Sequence, residues 1–457
     1  GDHRDLHSFP PRRSSDLPAH QFDDTPRYSP ANGPYMPLTE LVFPLKRAAF
    51  ARLKAMEEDA ASPALCVLHR PNSGAAQDGR RLGAISMGLP ALSLLENITS
   101  SGAPVDLLKL GLTYPWPSAK VEEFLRSHDE VLIVEELDRI LEQELKSFVL
   151  DRGIPVKLHA RVGDEELMGE MTPGRTWTLL ARIWPDLFPP CPAHEPGPAV
   201  TPRIPQMCPG CGHRSAYHAI KSALPPNAIT VADIGCHTLG FFEPYDIGKV
   251  LLCMGHSTGT AAGLRLFNQE RKVVCFLGDS TYFHAGIPGV VNAVANDHDI
   301  TLILMENNTT AMTGHQPLAS SPEQGERRIS IEETLKSLNV KFIRNVDTYR
   351  QAELAQAVRE AMEHTGFSVV IARHPCMLQF TRRQMRKGAF KPVQVQVDQQ
   401  VCDKQHVCTG DFGCPSFVLH EDGTVSVHPD LCIGDGSCRQ TCPTQALIQP
   451  RGGKDNA

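Results

Sequence analysis

Between residues 63 and 160, short apolar runs alternate with segments whose apolar positions recur every three or four residues. The runs Ala64–His69, Leu82–Gly88, Asp106–Gly111, Glu130–Glu135 and Pro155–Leu158 predict strands. Pro90–Ser101, Ser118–His128 and Leu137–Leu150 predict the helices between them. The alternation returns from about Gly212 to Pro375. Its predicted strands are Ala228–Asp233, Lys249–Met254, Lys272–Leu277, Ile300–Met305, Lys341–Asn345 and Ser368–Ala372. Helices are expected at Ser215–Ala223, Thr258–Asn268, Ala285–Asn296, Ile331–Leu338 and Arg350–His364. Strands joined through helices run parallel, so each block predicts a doubly wound α/β sheet.

The flanks divide the chain further. Residues 1–35 are rich in Pro, Ser, Asp and Arg and read as disordered or foreign. Their stretch LHSFPPRRSSDL looks like a translated sequencing adapter, which places the expected native start near Pro26. Residues 36–61 predict one helix left from a missing domain. An α/β domain over 62–171 follows, then a Pro-rich extended linker over 172–206. The second α/β domain covers 207–380, and a small Cys-rich domain covers 392–450.

Composition narrows the function. The chain has 457 residues with a net charge of −7, which argues against nucleic acid as the main partner. No apolar run is long enough to span a bilayer, and the N-terminus has no secretory core, so a cytoplasmic location is expected. Of 14 cysteines, six crowd into Cys402–Cys442, a pattern of metal or cluster ligation in such a chain.

The most informative segment is Lys272–Pro317. KVVCFLGDS ends in Gly278-Asp279-Ser280, and DITLILMENN ends in Asn307-Asn308. Both groups fall at carboxyl ends of predicted strands, where ligands bind in open α/β sheets. A carboxylate and, 28 positions later, an amide make an oxygen-only site suited to Mg²⁺ on phosphate oxygens.

This pair resembles the thiamine-diphosphate fingerprint, with Ser280 in place of its last glycine. GDSTYFHAGIPGVVNAVAN, NNTTAMTGHQP, DIGCHTLG and MGHSTGTAAG together resemble the alpha subunits of indolepyruvate ferredoxin oxidoreductases, over about Ser62–Pro450. The resemblance implies Mg²⁺ on Asp279, Asn307 and the Thr309 carbonyl. It implies thiamine diphosphate against Gly235, Gly255, Ser257, Gly278, Ser280, Thr310, Met312 and Thr313. His284, His315 and Gln316 are candidates to contact the oxo acid, though a loop-anchoring role suits His284 equally. The family's activating Glu belongs to a domain N-terminal to residue 36, so no catalytic acid is assigned and the chain alone is expected to be inactive. The domain over 62–171 resembles the transketolase C-terminal domain.

In the tail, Cys402, Cys408 and Cys414-Pro415, then Cys432, Cys438 and Cys442-Pro443, resemble a two-cluster ferredoxin. That design pairs Cys402, Cys408 and Cys442 on one cluster and Cys432, Cys438 and Cys414 on the other. Gln405 and Asp435 stand where a ferredoxin has further cysteines; Asp435 can offer a carboxylate, and the clusters can be 4Fe-4S or 3Fe-4S. Zinc on three thiolates and His406 is the alternative. Cys208-Pro-Gly-Cys211 reads alone as a zinc knuckle or redox pair. With Cys236 and Cys376 it resembles the proximal cluster of 2-oxoacid:ferredoxin oxidoreductases. Arg382, Arg383, Arg386 and Lys387 read as a solvated basic linker, with a docking patch or coenzyme A phosphate contact as the sharper alternative.

The resemblance implies oxidative decarboxylation of aryl pyruvates to acyl-CoA in a hetero-oligomer, with coenzyme A as co-substrate and a beta subunit and ferredoxin as partners. A non-oxidative thiamine decarboxylase or synthase, or an electron-transfer protein with an inactive thiamine domain, are the rival readings.

Overall fold

The computed structural model describes residues 38–72, 74–190, 200, 204–388 and 392–450. The expectations for residues 1–35 lie outside them. The chain forms two compact units, one within 21–200 and one within 201–457.

The first unit opens with helix α1 (Thr39–Ala60). Its sheet has strands β1 (Cys66–His69), β2 (Leu82–Met87), β3 (Val105–Leu110), β4 (Glu130–Val134) and β5 (Lys157–His159) in the order β1-β3-β2-β4-β5. Helices α2 (Gly88–Ser101), α3 (Ser118–Ser127), α4 (Ile140–Arg152) and α5 (Pro173–Ile183) cover it. Leu94, Ile98, Leu179 and Leu180 pack on one face, and Val121, Phe124, Leu141 and Leu145 on the other. β2 to β5 are parallel, as expected, but β1 runs antiparallel to β3 at the edge.

The second unit contains strands β6 (Ile229–Val231), β7 (Val273–Gly278), β8 (Thr301–Glu306), β9 (Phe342–Asp347) and β10 (Ser368–Arg373). They are all parallel, in the order β6-β7-β8-β10-β9. β7 and β8 are buried from end to end, which is why they read as continuous apolar runs rather than alternating ones. Helices α6 (Gly212–Ala223), α7 (Ser257–Phe267), the single turn α8 (Asp279–Thr281), α9 (Ile287–Ala295), α10 (Ile331–Ser337), α11 (Gln351–Glu363) and α12 (Met377–Arg386) connect them. α6 and α11 pack on one face, and α7, α9 and α10 on the other. The chain leaves β8 over one face and enters β10 from the other. The crevice at their carboxyl ends is therefore the topological switch, the place where such sheets bind ligands.

The tail has hairpin strands β12 (Phe417–Leu419) and β13 (Val425–Val427), the pair β11 (Gln396–Val397) with β14 (Leu447–Ile448), and one turn, α13 (Val407–Gly410). Its core is largely sulfur. Cys432 and Cys438 are buried with Val395, Phe412 and Leu447, and Cys408, Cys414 and Cys442 pack around them.

Three expectations are corrected. The Pro-rich stretch 172–206 is not all extended, because Pro173–Ile183 is helix α5. Pro173 sits in the first turn, where its missing N–H costs nothing, and the Thr172 hydroxyl caps the helix by accepting from Arg175 N at 3.4 Å. Lys249–Met254 is no strand: it makes one bridge, Val250 to Val231, and leaves Leu251 and Leu252 exposed. The basic residues after Arg373 lie in and just beyond helix α12 rather than in a linker.

Candidate active site

β7 hands the chain to α8 at Gly278, which places Asp279 buried at the sheet's carboxyl end. One carboxylate oxygen, Oδ2, accepts from Asn307 N at 3.0 Å and Asn308 N at 2.7 Å; the other accepts from Ser280 N at 2.8 Å. These amides clamp the loop after β8 to the end of β7. Burial nevertheless pushes the Asp279 pKa up to about 7, the amides offsetting only part of the cost. A carboxylate in that position is poised for a cation, which would restore its charge.

Asn307 turns its side chain along the same loop. Its Oδ1 accepts from Thr309 N at 3.0 Å, and its Nδ2 donates to His213 Nε2 at 3.3 Å. Burial drives the His213 pKa down to about 4, so the ring is neutral and can accept. Asn308 takes the left-handed φ of 65°, a conformation Asn tolerates, and so reverses the chain. The loop closes on itself: Thr310 N donates to Gln316 O at 3.0 Å and His315 N to Thr310 O at 2.9 Å. Thr309 is buried within it, while Met312, Thr313 and Gln316 are exposed.

The second side of the crevice comes from the loop after β6. Asp233 is fully buried and accepts from Ile234 N at 2.7 Å, Gly255 N at 2.9 Å and Ser257 N at 3.1 Å. It therefore ties the Gly235 turn to the amino end of α7. Sequence reasoning missed Asp233, His213 and His237. The signal was present: Asp233 follows a buried strand, and His213 follows the Cys208–Cys211 pair. His237 is buried beside Gly278, close to where a Cβ on that glycine would stand, and burial holds its pKa down at about 3.

Among the described residues, His237 Nε2, Ser257 Oγ, Asn308 Oδ1 and His315 Nδ1 are buried polar atoms with no protein partner. Buried polar atoms are normally paired, so these atoms are free to meet a polar ligand. The set fits a diphosphate with its cation. His284 is exposed on the π turn Tyr282–Gly286, whose Ala285 packs against Gly255.

Ten of the 14 cysteines fall into three groups. Cys211 is the N-cap of α6, Cys376 the N-cap of α12, and Cys236 opens a turn after Gly235. Helix amino ends present N–H groups to an anion. Burial first, then the charges of Cys211, Cys208 and Cys376, push the Cys236 thiol up to about 12. Burial and then Cys211 and Cys376 push Cys208 up to about 11, so the four thiols share one neighbourhood. Cys376 N donates to Asn307 O at 3.0 Å, which joins this group to the diphosphate loop.

In the tail, Cys402, Cys408 and Cys442 ring one small cavity together with Gln405 and His406. Cys438 lies within electrostatic range of Asp435, Cys414 and Cys432. Cys402, Cys408 and Cys442 thus lie together, and Cys414, Cys432 and Cys438 lie together. Asp435 Oδ2 already accepts from Ser437 N at 3.0 Å. Among the described residues, no three His, Cys, Asp or Glu side chains converge on a single ion. A cluster does not ask for that convergence, since each of its thiolates binds a different iron.

Residues 233–372 match the family of thiamine pyrophosphate enzymes, C-terminal TPP binding domain, and residues 425–448 match the 4Fe-4S binding domain. Indolepyruvate oxidoreductase subunit IorA of Methanothermobacter marburgensis is 35% identical over 393 residues, covering 81% of this chain and 60% of that protein. The chain is similar to IorA subunits. Another IorA, from Pyrococcus abyssi, is 33% identical to the IorA-like chain over 399 residues, covering 82% of it and 61% of the relative. The chain thus spans about three fifths of the length of these curated relatives. The 2-oxoglutarate synthase subunit KorB of Archaeoglobus fulgidus is 27% identical over 179 residues, 36% of this chain and 66% of that one. The IorA-like chain has a thiamine-diphosphate-binding α/β domain and a ferredoxin-like iron–sulfur domain. No helix among the described residues is long and apolar enough to cross a membrane.

Proposed function

We propose that this chain is part of the catalytic subunit of a 2-oxoacid:ferredoxin oxidoreductase acting on aryl pyruvates of the indolepyruvate type. It works in the cytoplasm with a beta subunit, coenzyme A as acyl acceptor and ferredoxin as electron acceptor. The observation that supports it best is the hydrogen bond from Cys376 N to Asn307 O. Cys376, of the first cysteine group, is thereby joined to the loop after β8 that carries Asn307.

Asp279, Asn307 and the Thr309 carbonyl would hold Mg²⁺, and Ser257 and Asn308 would bind the diphosphate. Bound there, thiamine diphosphate supplies the carbanion that attacks the keto carbon and the electron sink for loss of carbon dioxide. The protein's part is placement. Asp233 fixes the amino end of α7, Asp279 fixes the loop after β8, and neutral His213 and His237 hold donors and acceptors without adding charge. Cys208, Cys211, Cys236 and Cys376 would carry the first cluster, one strand end away. Single electrons would then have a short route to the tail.

The test pairs the anaerobically reconstituted chain with an indolepyruvate oxidoreductase beta subunit and a separately expressed N-terminal domain of the family. Indolepyruvate should drive ferredoxin reduction only with coenzyme A, with phenylpyruvate close behind and 2-oxoglutarate poor. Aldehyde as the sole product, without ferredoxin reduction, would establish the non-oxidative alternative.

A further inference from the structure

Arg214 is the third residue of α6 and is 2% exposed. A buried guanidinium ordinarily sits against a carboxylate, because an unpaired charge in the interior is costly. This one does not. Its Nη1 donates to Tyr245 Oη at 3.2 Å, to Phe412 O at 3.4 Å and to Gly413 O, and its Nη2 donates to Met207 O. Its Nε has no partner. Every acceptor is neutral, and among the described residues no carboxylate pairs with it.

What surrounds it is sulfur. Phe412 and Gly413 lead directly into Cys414, and Met207 leads directly into Cys208. Arg214 also follows Cys211 by three residues on the first turn of the helix. Its positive charge acts on the thiols of Cys414, Cys208 and Cys211.

The contact is built for close approach. Gly413 has φ 58°, and a Cβ there would stand 2.8 Å from the Pro244 ring. Tyr245 Oη donates to Phe412 O at 2.7 Å, and His218, one turn along α6, meets the Phe412 ring edge-on at 5.6 Å. On the other side of the Cys208–Cys211 loop, Gly210 has φ 67° and packs on Ile433 and Asp435, its carbonyl held by Tyr349 Oη at 2.7 Å. The loop of the first cysteine group is thus pressed against both halves of the tail.

We infer that Arg214 is a positioning residue that fixes the tail on the thiamine domain and, as the counter-charge of the anionic clusters on either side of it, raises their reduction potentials. The inference rests on the iron–sulfur reading of these cysteines. One-electron reduction adds a negative charge to a cluster, and a fixed cation beside it favours that state. Removing the cation leaves the reduced cluster without its counter-charge and lowers the potential. The hydrogen bonds to Phe412 and Gly413 keep the charge at a set distance from Cys414.

The test uses the full chain, reconstituted anaerobically with iron and sulfide, as wild type, R214K, R214Q and Y245F. Iron content is measured first, and the clusters are then titrated with dithionite under electron paramagnetic resonance. R214Q should hold iron and titrate at a distinctly lower potential. R214K should shift by less, and Y245F, which keeps the charge, should stay at the wild-type value. Iron-loaded R214Q at the wild-type potential overturns the assignment, and so does R214K shifted as far as R214Q. If R214Q takes up no iron, R214K decides alone: a potential near wild type supports the assignment, and one lowered by as much as a unit charge demands overturns it. A wild-type chain that binds zinc and no iron removes the cluster reading itself, and the inference with it.

Discussion

The two five-stranded sheets share an architecture, but Glu130 of the first and Asp279 of the second hold their buried carboxylates in opposite ways. In the first sheet, Glu130 at the amino end of β4 accepts from His159 Nε2 at 2.6 Å, Arg80 Nη1 at 2.9 Å and Trp184 Nε1 at 3.2 Å. Glu135, beyond the other end of β4, accepts from the amides of Leu141 and Glu142 at 2.9 Å each and so caps α4. Both acids are consumed by the fold. In the second sheet, Asp279 is bonded only by amides and sits among polar atoms that lack partners. Their pKa values separate accordingly. Burial raises Glu130, but its hydrogen bonds win and hold it down at about 2, whereas burial wins at Asp279. Among the described residues, Glu130 meets an arginine and a histidine, whereas Asp279 meets no cationic side chain.

The contrast breaks most visibly at Asp279. D279N should weaken thiamine diphosphate binding in the presence of Mg²⁺ by about 100-fold, or roughly 3 kcal/mol, read by calorimetric titration. E130Q should leave that affinity unchanged. Equal losses in the two variants would mean that Asp279 is merely another structural acid.

Stability should run the other way. E130Q removes an ionised acceptor from three donors and should cost the first unit about 2 kcal/mol in urea unfolding. Cofactor-free D279N should be as stable as the parent or more so at pH 8, because it removes a buried charge that has no cation.

The pH dependence sharpens the difference by sign. Asp279 has a folded pKa above its unfolded one, so the cofactor-free chain should lose stability as pH rises from about 4 to about 7, by roughly 1 kcal/mol per pH unit. Saturating Mg²⁺ and thiamine diphosphate should flatten that slope. Glu130, with its pKa held low, acts in the opposite direction: its contribution is present above pH about 4.5 and is lost as pH falls toward 2. Thermal melts of each variant across this range separate the two acids.

The smallest effect is expected at His284. Because it is exposed, H284A should change cofactor affinity by less than about twofold. A tenfold loss would move the reacting end of the crevice to the π turn.

Much of the site was legible in the chain. Asp279, Asn307 and the paired Cys-Pro runs could be found because short-range pattern sets them: a strand must end at Gly278, and a ferredoxin half has fixed spacing. The strands buried on both faces were legible for the same reason. Helix α5 was not, because proline counts say nothing about which turn a proline occupies. Lys249–Met254 misled because an apolar run reads as a strand wherever it lies, and only the sheet edge shows that it has a single bridge to make.

The sequence by itself determined the two α/β blocks, the acid and amide at adjacent strand ends and the spacing of the cysteines, since each depends on residues a few positions apart or on a strand's own periodicity. Tertiary structure alone decided which groups meet across long separations. It set Cys376 against the Asn307 carbonyl, brought His213 to the side chain of the same asparagine and made Asp233 the tie at the amino end of α7. It also placed Arg214 among neutral carbonyls beside Cys414, 200 residues away in sequence. Those meetings follow from the strand order, in which β10 returns beside β8, and from the docking of the tail on α6. Whether a buried polar group has a partner is a property of the packed fold, and no local pattern records it.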